Sequence, residues 1–319
     1  MMSFYVLIFL ACCVLLYFSG EWVIGGLMRM ARFLGWREFV VAFFVMAFAA
    51  SLPNLFIGIT SALHKIPQLS FGDVAGNNLV ALTIAIALAV LISKKELPAE
   101  SRTVQTTSIF TIIAALLPLL LILDGKLSRI DGILLIAFFI FYLFWLFSKR
   151  ERFTKIYDTH KIPIIKEFKL FLKDLGKLIL GIMLLIIAAQ GIVASAQFFA
   201  KSFDITLVLI GVLITGLGSA LPEIYFAVAS AKRGETWMIL GDLMGAVIVP
   251  ATLVLGIVAL IHPIEISDFS PLAIARLFLI ISALFFLFFV RTDRKITKKE
   301  ALFLLSIYLI FVLVEILAG

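Results

Sequence analysis

Glu223 follows Pro222 inside a long apolar run, in the segment GLGSALPE (216–223). A carboxylate at mid-membrane depth costs roughly 2.5–3.5 kcal/mol on insertion scales, so it needs an ion, a proton or a hydrogen-bonding neighbour. Pro222 removes one N–H, frees a carbonyl a turn earlier and pushes the preceding residue off helical geometry. With Ser219 in the same turn, the break offers carbonyls and a hydroxyl, the hard oxygen ligands that sodium or calcium prefers. The same arrangement stands earlier in the chain, where Ser51 and Pro53 precede Asn54, a neutral oxygen-and-amide ligand. The bland alternatives are a packing kink at each proline and a structural hydrogen bond at Glu223. Asp73 and Asp242 each sit in a G-D-x-x-G pattern. Residues one turn apart share a helix face, so one face reads Asp73, Asn77, Ala81 and the other Asp242, Ala246, Pro250. These aspartates either line an ion pathway or cap helix N-termini.

The two groups are copies of one another. Shifted by 169 residues without a gap, Leu52-Pro53 falls on Leu221-Pro222, and Ser61-Ala62 on Ser230-Ala231. Gly72, Asp73 and Gly76 fall on Gly241, Asp242 and Gly245, and Thr83 on Thr252. Glu223 is thus the counterpart of Asn54. This is an internal repeat of half the chain.

The elements that position these residues are membrane spans. The chain is 63% hydrophobic and 15% charged, with a mean hydropathy of +1.17, against about 25% charged in soluble domains. Apolar runs long enough to cross a hydrocarbon core of about 30 Å recur throughout. They are continuous rather than alternating, which excludes a barrel. Ten helical spans are expected, near 3–28, 38–62, 70–93, 104–123, 131–148, 170–200, 205–231, 237–261, 270–290 and 299–317. MMSFYVLIFL lacks a positive n-region and reads as a retained helix.

The net charge of +7 follows from the placement of the cations. Of 27 Lys and Arg residues, 22 fall in loops on one side of this ten-span arrangement. Only Lys65, Lys126, Arg129 and Lys201 fall on the other. The positive-inside rule then places the basic loops in the cytoplasm and both termini outside. The basic loops suit orientation and an anionic inner leaflet, so no nucleic-acid partner is expected. Each repeat holds five spans, an odd number, so the halves cross in opposite senses. Residues 1–148 form the first half, 149–169 a cytoplasmic linker around Pro163, and 170–319 the second. Inverted repeats of this kind recur in secondary transporters, with the substrate at the midplane where the halves meet.

Other polar residues read as structural. Asn78 is turned away from Asn77 towards a neighbouring helix. Arg276 pairs or snorkels in the ninth span, and Glu21 and Glu315 lie near membrane edges. His64, His160 and His262 lie in loops without ligand spacing. Cys12 and Cys13 are adjacent and pack as small apolar groups. There is no Cys/His metal pattern, phosphate loop or nucleophile elbow. No enzyme activity and no cofactor are expected, and the ions are cargo.

Two inverted five-helix halves, each with a broken helix bearing the LP motif and a following G-D-x-x-G, resemble the cation/calcium antiporters, in particular the sodium/calcium exchangers. The resemblance covers nearly the whole chain, and GLGSALPE (216–223) with GDLMG (241–245) carries it. It implies a ten-helix carrier with the second, third, seventh and eighth helices around the ions, and the first and sixth sliding to alternate access. In the family both broken helices supply an acid after the proline. Glu223 matches the second, and Asn54 replaces the first. The family's serine after each G-x-x-G corresponds to Asn77 and Ala246, and its polar ligands four residues on to Ala81 and Pro250. The asparagine of its G-N-x-x-G is Asp73 here, and Asp242 in the second half. The expected function is a secondary antiporter moving sodium, calcium or protons around Glu223, Asn54, Asp73, Asn77, Asp242, Ser51 and Ser219. Calcium takes 6–8 oxygens and usually several carboxylates, whereas Glu223 alone suits a monovalent ion or a proton. The rival is an exchanger fold kept as a scaffold or regulatory partner, favoured by the apolar Ala81, Ala246 and Pro250. The expected location is a prokaryotic plasma membrane.

Overall fold

The computed structural model describes residues 1–33, 48–93, 96–148, 164–234, 236–266 and 270–318. Long uninterrupted runs of Leu, Ile, Phe and Ala fold as helices because a membrane core offers the backbone no other hydrogen-bond partners. The helices are α1 (Met2–Phe33), α2 (Phe48–Ala50 and Leu52–Leu63), α3 (Gln68–Ile92), α4 (Arg102–Leu121) and α5 (Arg129–Ser148) in the first half. The second half holds α6 (Ile164–Phe203), α7 (Leu207–Arg233), α8 (Thr236–Val249, continuing to Leu255–Ile261), α9 (Ser270–Thr292) and α10 (Lys298–Ala318). Among the described residues eight of these are long and apolar enough to cross a membrane, and Leu52–Leu63 and α10 complete the ten. Outward-facing Ile140, Phe141 and Phe144 give the surface its apolar character.

The first part of the expected second span (38–47), Arg37, Lys94, Lys95, His160 and most of the linker lie outside the described residues. Residues 164–169, expected in the linker, are the start of α6. Glu315, expected near a membrane edge, lies in the last turn of α10 and is buried there.

The repeat recurs in the backbone. α2 turns at Ser51 (φ −81°, ψ −3°) and α7 at Ala220 (φ −81°, ψ −4°), 169 residues apart. In both, Pro53 and Pro222 fall in the first turn of the segment that follows, where a missing N–H costs least. α3 and α8 each widen into a π-helical turn at matched positions, Ala81–Ala85 and Pro250–Val254. Thr83 and Thr252 each donate to the carbonyl four residues back inside that turn.

Two short antiparallel ribbons lie at opposite ends of α4, and the strand Lys126-Leu127 of one is the 169-residue counterpart of Lys295-Ile296 in the other. Leu97-Pro98 pairs with Lys295-Ile296, and Lys126-Leu127 with Ile264-Glu265. Lys295 bonds Glu96 at 2.8 Å, and Lys126 bonds Glu265 at 2.7 Å. These pairs are repeat counterparts, and the Lys126 ammonium holds the Glu265 carboxyl below its ordinary range. Both are exposed, so they fix register more than they stabilise.

α5 and α10 each begin with a capping box, again 169 residues apart. Ser128 N donates to Asp131 (2.8 Å) and Asp131 N to Ser128 Oγ (3.3 Å). Thr297 N donates to Glu300 (2.7 Å) and Glu300 N to Thr297 Oγ1 (3.4 Å). Loss of such a cap costs about 0.5–2 kcal/mol. Ser128→Ala and Thr297→Ala are therefore each expected to lower the thermal midpoint in detergent by a few degrees while leaving ion flux at the wild-type level.

The core divides in two. The larger cluster is built on α3 and α8, with α4, α5, α9 and α10 packed around them. The smaller joins α1 and α6 and touches the start of α2, α3 and α7. α1 runs along α6, with Tyr5 stacked on Phe198 at 4.0 Å and Phe9 edge-on to Phe199 at 6.0 Å.

Candidate cation site

α2, α3, α7 and α8 meet where both helix breaks face the two G-D-x-x-G segments. α3 can approach α7 closely because glycines oppose one another. A Cβ on Gly211 would sit 2.7 Å from the backbone of Gly72 and Asp73, and one on Gly216 2.8 Å from the backbone of Asp73, Gly76 and Asn77. Small residues serve membrane helix crossings in this way. The crossing carries Asp73 and Asn77 to the α7 break.

Asn54, Asp73, Asn77, Ser219 and Glu223 have no solvent-exposed surface, and Asp242 is buried with them. Asn54 Nδ2 donates to Asp73 Oδ2 and to Ser219 Oγ, both at 3.0 Å. The Ser219 hydroxyl lies 3.0 Å from Asp73 Oδ1, so three helices are tied together by three side chains. Asn77 Nδ2 donates to the Ala246 carbonyl at 3.3 Å. Pro250, four residues on, has no N–H to give that carbonyl, which leaves it for Asn77. Asn77 and Ala246 are repeat counterparts, and counterparts touch only near the axis that relates the halves.

Five buried side-chain oxygens at this meeting have no hydrogen-bond partner among the described residues. They are Asn54 Oδ1, Asn77 Oδ1, both carboxylate oxygens of Glu223, and Asp242 Oδ2. Buried polar atoms are ordinarily satisfied, so an unpaired set of oxygens on four helices is an acceptor-only surface suited to a cation. Among the described residues no three His, Cys, Asp or Glu side chains converge closely enough to form a compact metal cluster.

The structure thus brings together Asn54, Asp73 and Ser219 in one hydrogen-bonded triad, and one turn along α3 joins Asn77 to Ala246. Ser51 is buried at the α2 break and Pro53 and Pro222 open the segments carrying Asn54 and Glu223. The capping alternative for the aspartates does not hold. Asp73 lies five residues into α3, whose N-cap is Pro67, and Asp242 lies six residues into α8. At Ala246, which has no polar side chain, the backbone carbonyl accepts from Asn77, a contact that a side-chain inventory misses. Asn78 is buried with Oδ1 unpaired, and Arg276 is half-exposed on α9 beside Ala273, Leu277 and Ile280.

Ten helices in two inverted halves, with broken helices facing one another at the centre, define an integral membrane carrier. A family model described as "Sodium/calcium exchanger protein" matches residues 4–148 and 173–317. The chain belongs to the sodium/calcium exchanger family, whose members are transporters rather than enzymes. It is 24% identical to the sodium/calcium exchanger MaX1 of Methanosarcina acetivorans over 97% of each chain. It is 27% identical to an uncharacterised membrane protein of Methanocaldococcus jannaschii over 95% of each, and 25% identical to the inner membrane protein YrbG of Escherichia coli over 82% of this chain and 80% of that one. Among solved structures, the sodium-calcium exchanger NCX_Mj soaked with sodium and strontium superposes with a TM-score of 0.68 at 25% identity, covering 98% of each chain.

Proposed function

We propose that the chain is a secondary cation antiporter that carries its ion on Glu223, Asn54, Asn77 and Asp242 by alternating access. The observation that carries this reading is the set of five buried, unpaired oxygens on four helices where the inverted repeats meet. An ion lined by amide and carboxylate oxygens, without three converging acids, suits sodium or a proton better than a calcium-only site. Calcium remains the natural exchange partner for a family member. The separate packing of α1 on α6 supports movement of that pair against the other helices. The charge asymmetry of the loops supports both termini outside and a cytoplasmic linker between the halves that ends where α6 begins at Ile164, and the prokaryotic relatives support a prokaryotic plasma membrane.

The test is flux in proteoliposomes loaded with sodium and diluted into sodium-free buffer. Calcium-45 uptake is followed beside a pH-sensitive dye. Sodium-dependent calcium uptake supports sodium/calcium exchange, and a cation-driven proton signal without calcium uptake assigns the site to monovalent ions. Silence in both channels from folded protein overturns the antiporter reading in favour of the scaffold, which the apolar Ala81 and Pro250 favour.

A further inference from the structure

The two repeats distribute their polar groups differently. The second places carboxylates at both 223 and 242, and the first places an amide at 54 and a carboxylate at 73. In the first repeat these two side chains bond one another. An amide nitrogen has two donors, and both donors of Asn54 are committed, one to Asp73 Oδ2 and one to Ser219 Oγ. Its carbonyl Oδ1 is therefore turned the other way, and Oδ1 is one of the buried oxygens without a partner. The flipped amide would set Oδ1 against Asp73 Oδ2, two acceptors with no hydrogen between them. Both Asp73 oxygens are engaged, Oδ2 by Asn54 Nδ2 and Oδ1 by the Ser219 hydroxyl, so the oxygen of this pair left without a partner is Asn54 Oδ1.

We propose that Asp73 is a positioning residue that fixes the amide of Asn54 so that its oxygen, and not its NH2, faces the cation. Asp73 contributes its negative charge from one side chain behind the ion. The pair acts as a unit, an amide on α2 held by an acid on α3. This inference rests on the antiporter reading above.

Exchanging the two residues is the test. Asp73→Asn keeps the shape, removes the charge and replaces one of the two acceptor oxygens that hold Asn54 and Ser219 with a donor, and is expected to raise the half-saturating cation concentration at least tenfold, with a smaller change in maximal rate. Adding Asn54→Asp to that variant puts the acid on α2 and the donor on α3. The double variant is expected to recover half-saturation to within about threefold of the wild type. Ser219→Ala, which removes one partner without touching charge, is expected to raise half-saturation several-fold. Each variant is also followed by the shift of its thermal midpoint with sodium and with calcium, which reports binding without flux. An unchanged half-saturation in Asp73→Asn, or a double variant no better than the single, overturns the proposal while wild-type flux leaves the antiporter reading standing. If Asp73→Asn does not fold, an unchanged half-saturation and midpoint shift in Ser219→Ala overturns it. A silent wild type overturns both.

Discussion

Glu223→Gln is expected to reduce cation flux on the order of 100-fold or more and to leave the fold intact. Both carboxylate oxygens of Glu223 are buried without a hydrogen-bond partner among the described residues. Glutamine has the same shape, so nothing in the packing must move. What changes is charge. The variant replaces an anionic, acceptor-only group by one whose NH2 repels a cation, in a medium where charge interactions are weakly screened. Stability should move in the opposite direction. A buried carboxylate costs roughly 2.5–3.5 kcal/mol on insertion scales, and removing an unpaired buried charge relieves that cost. The thermal midpoint of ion-free Glu223→Gln should therefore equal or exceed that of the wild type. The ion response separates this from a general defect. A ligand at 100 times its Kd stabilises by about 2.7 kcal/mol, so the wild-type midpoint should climb with added cation and that of Glu223→Gln should stay flat. A midpoint that climbs equally in both would remove Glu223 from the site. A fold kept as a scaffold would show no response in either.

Much of this arrangement was legible because the repeat supplied a second reading of each residue. A single proline after Ser51 is a kink; two at a 169-residue shift predict matched breaks, and the dihedrals at Ser51 and Ala220 agree to about a degree. Asn54 and Glu223 were legible as counterparts for the same reason. The role of Asp73 was not. α3 is buried on nearly every side, so its sequence has no apolar face against which to orient the aspartate. Whether Asp73 faced the ion, a cap or another side chain was decided by the α3–α7 crossing. The Ala246 carbonyl was hidden because backbone groups carry no residue letter, although Pro250 four residues on was the available signal. The two ribbons escaped because strands of two residues show no periodicity. Their trace lay in the charges, since Glu96 and Glu265, and Lys126 and Lys295, are the same pair written twice.

Gly216→Val is expected to yield no folded protein, and Gly216→Ala to fold with reduced stability and weaker ion binding. The Cβ of alanine at 216 would lie 2.8 Å from Asn77 N, Asp73 O and Gly76 Cα. All three are backbone atoms on α3, and no rotamer change can clear them. α3 must move away from α7, and overpacking of this kind costs about 1–3 kcal/mol, with the two further methyls of valine adding to it. The same crossing sets the 3.0 Å contact between Ser219 on α7 and Asp73 on α3. A hydrogen bond weakens steeply as its geometry degrades, so a displacement of a few tenths of an ångström loosens the frame that aims Asn54. The predicted signature of Gly216→Ala is therefore coupled: a midpoint lower by several degrees together with a half-saturating cation concentration raised several-fold. Leu217→Ala, one residue on with its side chain facing outward, controls for a general effect of substitution in this turn and should leave both quantities near wild type. A Gly216→Ala protein with lower stability and unchanged half-saturation would show that the α3–α7 spacing holds the fold together without setting the geometry of the ion site.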